Sequence, residues 1–233
     1  MALALQDRVF VVTGGFGALG RALASLLLAR GARVALLDRA AVTASVPGQA
    51  SDDTLLLGGV DLGAAGTAQQ ALALVLQRWQ RIDGLVNVAG GFAWQTVAEG
   101  SLDTWDRLYA MNLRSAVAAA QAVLPHLGAG GRIVNVGALA ALKAGSGMGA
   151  YAASKAGVLR FTEALAEELK DRGVTVNAVL PSIIDTPANR ADMPTAAFER
   201  WVTPDALSRV VAFLLSDDAA AITGACLPVA GRV

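Results

Sequence analysis

The 233-residue sequence predicts a doubly wound α/β fold. Short apolar, β-branched runs alternate with longer segments of helical periodicity along the whole chain. The first run leads straight into a glycine-rich turn and then a helix, and an acid closes the second run. Such alternation requires a parallel sheet covered on both faces by right-handed crossovers.

The elements follow in order. Arg8 to Thr13 reads as a buried parallel strand, apolar on both faces. Leu19, Leu23, Leu26 and Leu27 fall at helical spacing, and Arg30-Gly31 stops that helix. Arg33 to Leu37 is the second strand, closed by Asp38. Residues 39–53 are small and polar, with a turn signal at Pro47-Gly48. Thr54 to Val60 is the third strand. A helix over 67–80 carries Leu72, Val75, Leu76 and Trp79 on one face, and Gly84 to Val88 is the fourth strand. Ser101 is a candidate N-cap for one long helix reaching Leu124-Pro125. Arg132 to Val136, Val174 to Leu180 and Cys226 to Val229 complete the strands. Helices are expected over 150–170 and 204–215, with loop or short helix over 183–204. No repeat, linker or low-complexity tract divides the chain, so residues 1–233 are read as one domain.

Composition excludes several classes. Apolar residues make up 55% and mean hydropathy is +0.50, yet no unbroken apolar run reaches the ~18 residues of a membrane span. Nineteen basic and nineteen acidic residues balance, leaving no basic patch for nucleic acid. A near-neutral, apolar chain also suits a surface partly covered by subunit contacts. The single Cys226 allows no internal disulfide and reads as a small buried hydrophobe. With one histidine, His126, and no second ligand set, no metal site is expected. The stretch Met1 to Asp7 has neither a charged n-region nor a long apolar h-region, which predicts no secretory leader and a cytoplasmic setting.

Thr13-Gly14-Gly15-Phe16-Gly17-Ala18-Leu19-Gly20 joins the first strand to the first helix. Glycines there let the backbone approach a pyrophosphate, and the helix N-terminus offers N–H groups to its oxygens. Asp38 lies 18 residues past Gly20, where a carboxylate can hold ribose hydroxyls. The acid favours NAD(H) over a 2′-phosphate, while neighbouring Arg39 keeps NADP(H) open. Asp61, followed by Leu62, ends the third strand at the adenine side. Asn87-Val88-Ala89-Gly90 ends the fourth with small residues under a cofactor.

Tyr151 and Lys155 lie four residues apart at a helix start, about one turn, and so share a face. An ammonium beside a phenol favours the phenolate and lowers its pKa from ~10. That makes the phenol usable as an acid or base at neutral pH.

With these motifs placed, the chain resembles the short-chain dehydrogenase/reductase family. The resemblance rests on Thr13-Gly14 to Gly20, Asn87-Val88-Ala89-Gly90, Asn112, Tyr151-x-x-x-Lys155 and Pro181 to Thr186. It implies a seven-stranded Rossmann sheet, a homodimer or homotetramer, and hydride transfer at a nicotinamide to or from a small-molecule substrate. It further implies Tyr151 as acid/base and Lys155 as ribose ligand and pKa modifier. Asn112 would hold a relay water, and the Ile184 backbone and Thr186 hydroxyl would bind the carboxamide. Two departures stand out: Ala18 replaces a usual glycine, and Ala138 replaces the serine thirteen positions before the tyrosine. Loss of one such donor costs ~3 kcal/mol where a carbonyl oxygen develops charge. Ser146 and Ser182 are candidate stand-ins, though neither has the spacing.

Both departures resemble one branch, the dihydropteridine reductases. That branch is similar in Gly14 to Gly20, Val88 to Gly91, Gly137 to Leu142 and Asp185-Thr186-Pro187-x-Asn189-Arg190-x-x-Met193-Pro194. It implies reduction of a quinonoid dihydropterin, where no alkoxide forms and the serine is not needed. A general ketone or alcohol substrate, and a silent dinucleotide-binding regulator, remain the alternatives. Met193, Phe198 and Trp201 are expected to form a lid, with Phe92 and Trp94 opposite.

Overall fold

The computed structural model describes residues 5–42 and 52–233. The Pro47-Gly48 turn signal and the first four residues lie outside them. Seven parallel strands form one sheet in the order β3-β2-β1-β4-β5-β6-β7. They are β1 (Val9–Thr13), β2 (Arg33–Leu37), β3 (Thr54–Leu57), β4 (Gly84–Asn87), β5 (Arg132–Val136), β6 (Thr175–Pro181) and β7 (Cys226–Val229). The helices are α1 (Ala18–Ala29), α2 (Thr67–Trp79), α3 (Leu102–Tyr109), α4 (Ser115–Val123), α5 (Gly149–Leu169), α6 (Pro187–Asp192) and α7 (Pro204–Leu214). No helix among the described residues is long and apolar enough to cross a membrane.

Strand side chains alternate between two cores, as the two-residue period of a strand requires. Phe10, Val12, Leu36, Val134 and Val179 join α1 and α7 on one face, through Leu23, Leu27, Leu207 and Val211. Val11, Ala35, Leu85, Ile133 and Val176 meet α2, α4 and α5 on the other, through Val75, Ala120, Val123 and Leu165. Each fully buried leucine, valine or phenylalanine contributes about 1.5–3 kcal/mol. The central strands are buried along their whole length, which is why they read as continuous apolar runs.

Two elements differ from the sequence reading. The third strand ends at Leu57, not Val60, because its partner β2 turns away at Asp38. Beyond that point Val60 N–H donates to the Asp38 carbonyl and Gly59 N–H to that of Ala40. The helix expected over 101–125 is two helices joined by a π-turn, Ala110–Arg114. Ser101 does cap it: its hydroxyl accepts from Asp103 N–H at 3.1 Å. The π-turn inserts one residue into the helical phase and brings Asn112 inward, 1% exposed.

The strand order reverses at β1: the chain builds β2 and β3 on one side, then crosses to β4 on the other. A crevice opens at such a switch point, outside the carboxyl ends of the strands.

Candidate active site

The crevice begins at the glycine turn. Gly14 has φ +65°, a left-handed backbone, and a methyl group added there would lie 2.8 Å from Ala89 N. One on Gly15 would lie 2.7 Å from Leu36 Cβ, and one on Gly20 would run into the Gly14 carbonyl. These glycines are packing requirements of the turn itself. Gly17 is different, with only the Gly14 carbonyl oxygen near, at 3.4 Å, and it borders the open cleft. Helix α1 starts at Ala18 with no side chain capping it, so its first N–H groups face the same space.

That space is a cleft of about 1360 Å³. Gly14, Gly17, Ala18 and Leu19 line it from the turn; Asp38, Arg39, Asp61 and Leu62 line it from β2 and beyond β3. Ala89 and Gly90 line it from the end of β4, Tyr151 and Lys155 from α5, and Pro181, Ile184 and Thr186 from the end of β6. Phe92, Trp94 and Met193 complete its walls. The glycine cradle, uncapped helix start and row of small residues fit a nicotinamide dinucleotide, with anionic phosphates at the amides.

Six expected residues do not line the cleft. The Phe16 ring packs on the core, and its N–H donates to Asp38 Oδ2 at 3.0 Å, so it fixes the acid instead. Gly20 is interior to the turn. Asn87 is 3% exposed and serves as a node of a buried polar chain. Its amide donates to Asn135 Oδ1 at 2.9 Å, Asn135 donates to Thr162 Oγ1 at 2.8 Å, and Thr13 Oγ1 lies 3.5 Å from Asn87 Oδ1. Phe198 and Trp201 do not border the cleft. They pair edge to face at 4.9 Å; Arg190 lies over the Phe198 ring, and Trp201 is 7% exposed. Arg190 in turn makes a two-pronged pair with Asp185, at 2.5 and 2.8 Å, so this part of the segment is occupied with holding itself together.

Asn112 is the sixth, buried behind Gly90: a methyl on Gly90 would lie 2.7 Å from Asn112 Oδ1 and 3.2 Å from Lys155 Nζ. Its side chain is held from both ends. Oδ1 accepts from Gly91 N–H at 2.8 Å, and Nδ2 donates to Gly91 O at 3.1 Å and Ser154 Oγ at 2.9 Å. Both Nδ2 protons are thus used, while Oδ1 keeps a second lone pair.

Tyr151 and Lys155 share one face of α5, as their spacing requires. Lys155 is 5% exposed and its Nζ donates to Val136 O at 2.8 Å. Burial pushes its ammonium down to about 8. Burial also pushes the Tyr151 phenol up to about 12. The expected lowering by Lys155 is thus not the controlling effect: desolvation dominates at the phenol, and one lysine proton goes to the Val136 carbonyl. The Phe92 ring meets the Tyr151 ring edge-on at 5.0 Å and 79°. At Thr186 the hydroxyl caps α6, accepting from Asn189 N–H at 3.2 Å, while the Ile184 carbonyl accepts from Asn189 Nδ2 at 2.7 Å.

Ala138 is 3% exposed and offers no hydroxyl. Ser182 lines the cleft, but its hydroxyl donates to Ala230 O at 2.7 Å. Ser146 does not line it, and its carbonyl accepts from Trp94 Nε1 at 3.0 Å. Sequence reasoning missed Arg107, Met111, Arg114 and Met148 in the cleft wall. The i, i+4, i+7 spacing of the first three was the available signal.

A family model for short chain dehydrogenases matches residues 8–196. The chain is 34% identical over 245 residues to a 2-(R)-hydroxypropyl-CoM dehydrogenase of Xanthobacter autotrophicus, covering 97% of this chain and 98% of the relative. It is 34% identical over 241 residues to a 3-oxoacyl-(acyl-carrier-protein) reductase of Vibrio cholerae, covering 97% of each. A crystal structure of a 3-ketoacyl-(acyl-carrier-protein) reductase from Brucella melitensis, complexed with NADH, superposes with a TM-score of 0.89 at 28% identity, covering 98% of this chain and 99% of that one. None of these three is a pteridine reductase, so the likeness to that branch stands on its local strings alone. Matches of this length, at such identity across nearly whole chains, reflect common descent: the chain belongs to the short-chain dehydrogenase/reductase family of NAD(P)-dependent oxidoreductases.

Proposed function

We propose that the chain interconverts a small ketone and its secondary alcohol with NAD(H), and that Tyr151 exchanges the proton with the substrate oxygen. One observation carries this reading: the Tyr151 phenol lines the same cleft as the glycine turn, with Lys155 one helical turn on. The keto and hydroxy chemistry in the names of the relatives supports the carbonyl substrate.

When bound, the nicotinamide supplies or takes up the hydride. Gly14, Gly17, Ala18 and Leu19 would hold the pyrophosphate, and Asp61 and Leu62 would flank the adenine. Ala89, Gly90, Tyr151 and Lys155 would hold the nicotinamide ribose, and Pro181, Ile184 and Thr186 the carboxamide. Asp38 would accept from the adenosine ribose hydroxyls. Its carboxylate already accepts from Phe16 N–H and Ala40 N–H, which fixes it in place against a 2′-phosphate. In reduction, Tyr151 Oη gives its proton to the carbonyl oxygen. A phenol raised by burial is fully protonated at neutral pH and so starts in the donor state. Lys155 places a positive charge beneath Gly90 and opposes the rise in the phenol as charge develops. Asn112 holds Gly91 and Ser154 in place and would hold the relay water.

A second reading, reduction of a quinonoid dihydropterin, is favoured by one feature: the alanine at 138, with no freely donating hydroxyl from Ser182. NADH and NADPH oxidation with a ketone panel and with quinonoid dihydropterin separates the readings. Ketone turnover that prefers NADH supports the first. Pterin turnover without ketone turnover replaces it with the second. NADH binding with neither turnover makes the chain a silent regulator.

A further inference from the structure

Ser154 lies three residues after Tyr151 in α5 and is 4% exposed. Its hydroxyl donates to the Tyr151 main-chain carbonyl at 2.7 Å, a bond that a serine inside a helix commonly makes to its own preceding turn. The same oxygen also accepts from Asn112 Nδ2 at 2.9 Å, and Asn112 comes from a different element, the π-turn. Asn112 then holds both polar groups of Gly91, the N–H at 2.8 Å and the carbonyl at 3.1 Å. Phe92 follows Gly91, and its ring abuts the edge of the Tyr151 ring. The contacts therefore form a closed circuit: Tyr151 main chain, Ser154, Asn112, Gly91, Phe92, Tyr151 ring.

The circuit has little slack. Met111 Sδ fills the space where a side chain on Gly91 would go, so the loop is packed as well as hydrogen-bonded. Among the described residues the Tyr151 hydroxyl has no protein partner, so the phenol is aimed by its backbone and by ring contact. Without the serine oxygen, a buried Nδ2 proton of Asn112 loses its acceptor, and in this circuit the loop and helix keep only the Phe92–Tyr151 ring contact.

We infer that Ser154 is a positioning residue for proton transfer, aiming the Tyr151 phenol by locking its helical turn to Asn112 and the Gly91–Phe92 wall of the cleft. This rests on the reading of Tyr151 as the acid/base group. Small misplacements of a reacting group far outweigh their effect on binding, so the signature is in kcat.

Ser154→Ala and Ser154→Cys, the latter close to the original volume, are compared with the parent and with Tyr151→Phe. Thermal melts confirm folding, and NADH-dependent turnover of the substrate found in the panel is read as kcat and as KM for NADH. Both Ser154 variants are expected to lose about 10- to 100-fold in kcat, with KM for NADH within about twofold of the parent. Phe92→Leu opens the same circuit at a half-exposed position and is expected to lower kcat in the same direction. A folded Ser154 variant with parental kcat overturns the inference, as does a loss confined to Tm or to KM for NADH. If Tyr151→Phe itself keeps parental turnover, the proposed function fails instead. A dead Tyr151→Phe beside fully active Ser154 variants removes this inference alone.

Discussion

Among the described residues Lys155 has one hydrogen-bond acceptor, the Val136 carbonyl at 2.8 Å, and is 5% exposed. Its folded pKa, about 8, lies below its ordinary value of 10.5. Between those two pH values the unfolded chain binds more protons than the folded one, so stability rises as pH rises from about 8 to 10.5. Below pH 8 the penalty of the buried ammonium is present in full. Lys155→Met is therefore expected to raise stability at pH 7 by roughly 1–3 kcal/mol, read by denaturant melts, while turnover collapses. A destabilised Lys155→Met would show that the Val136 bond outweighs desolvation. Reductive turnover needs the ammonium charged and the phenol protonated. It is expected to be flat through neutral pH and to fall as pH rises through about 8, the lower of the two values. Asp38 is the other residue with a distinct prediction. Asp38→Ser removes the carboxylate that opposes a 2′-phosphate and leaves Arg39 beside the vacated position. The ratio of kcat/KM for NADPH to that for NADH is expected to rise at least about tenfold, since charge discrimination of this kind is worth more than one decade. An unchanged ratio would detach Asp38 from cofactor choice.

At the scale of elements, legibility followed local pattern. β2, β5 and β7 begin and end where the sequence placed them, while the fully buried β1, β4 and β6 are each offset by a residue, because an unbroken apolar run does not mark where strand pairing stops. The glycine turn and the Tyr151–Lys155 face were readable for a similar reason: each is a local pattern with one steric solution. The π-turn was not, since one extra residue shifts helical phase without changing composition. Nor was the fate of the aromatic residues between Thr186 and Thr203. Met193 reaches the cleft while Phe198 and Trp201 pack on each other and Arg190 covers Phe198, a choice made by tertiary contacts. Helix α6 is short and depends on its cap. Thr186→Ala removes the acceptor of Asn189 N–H and is expected to destabilise that turn by about 1 kcal/mol. Raised KM for cofactor or substrate with a nearly unchanged Tm is the outcome to look for; unaltered kinetics would mean that α6 holds its place without the cap.

For the whole molecule, the buried chain Thr13–Asn87–Asn135–Thr162 ties β1, β4, β5 and α5 beneath the cleft. Asn87 was legible as a strand-end polar residue, but its burial in this chain depends on partners 29 to 74 residues distant. Fold and family are stated by the sheet order and by matches over nearly the full chain. Assembly is a proposal: Val97, before α3, and Leu102 and Tyr109, at its two ends, are exposed, which suits pairing of the 102–124 and 150–170 helices between copies. Light scattering is expected to give two or four times 23.7 kDa; a monomer would contradict it. The most direct measurement is made on Tyr151→Phe, which keeps the ring and removes only the hydroxyl. NADH binding is expected to stay within about threefold of the parent while turnover falls by about 10²- to 10⁴-fold, the range for loss of a positioned acid. Parental turnover by Tyr151→Phe would contradict the assignment of the proton to this phenol.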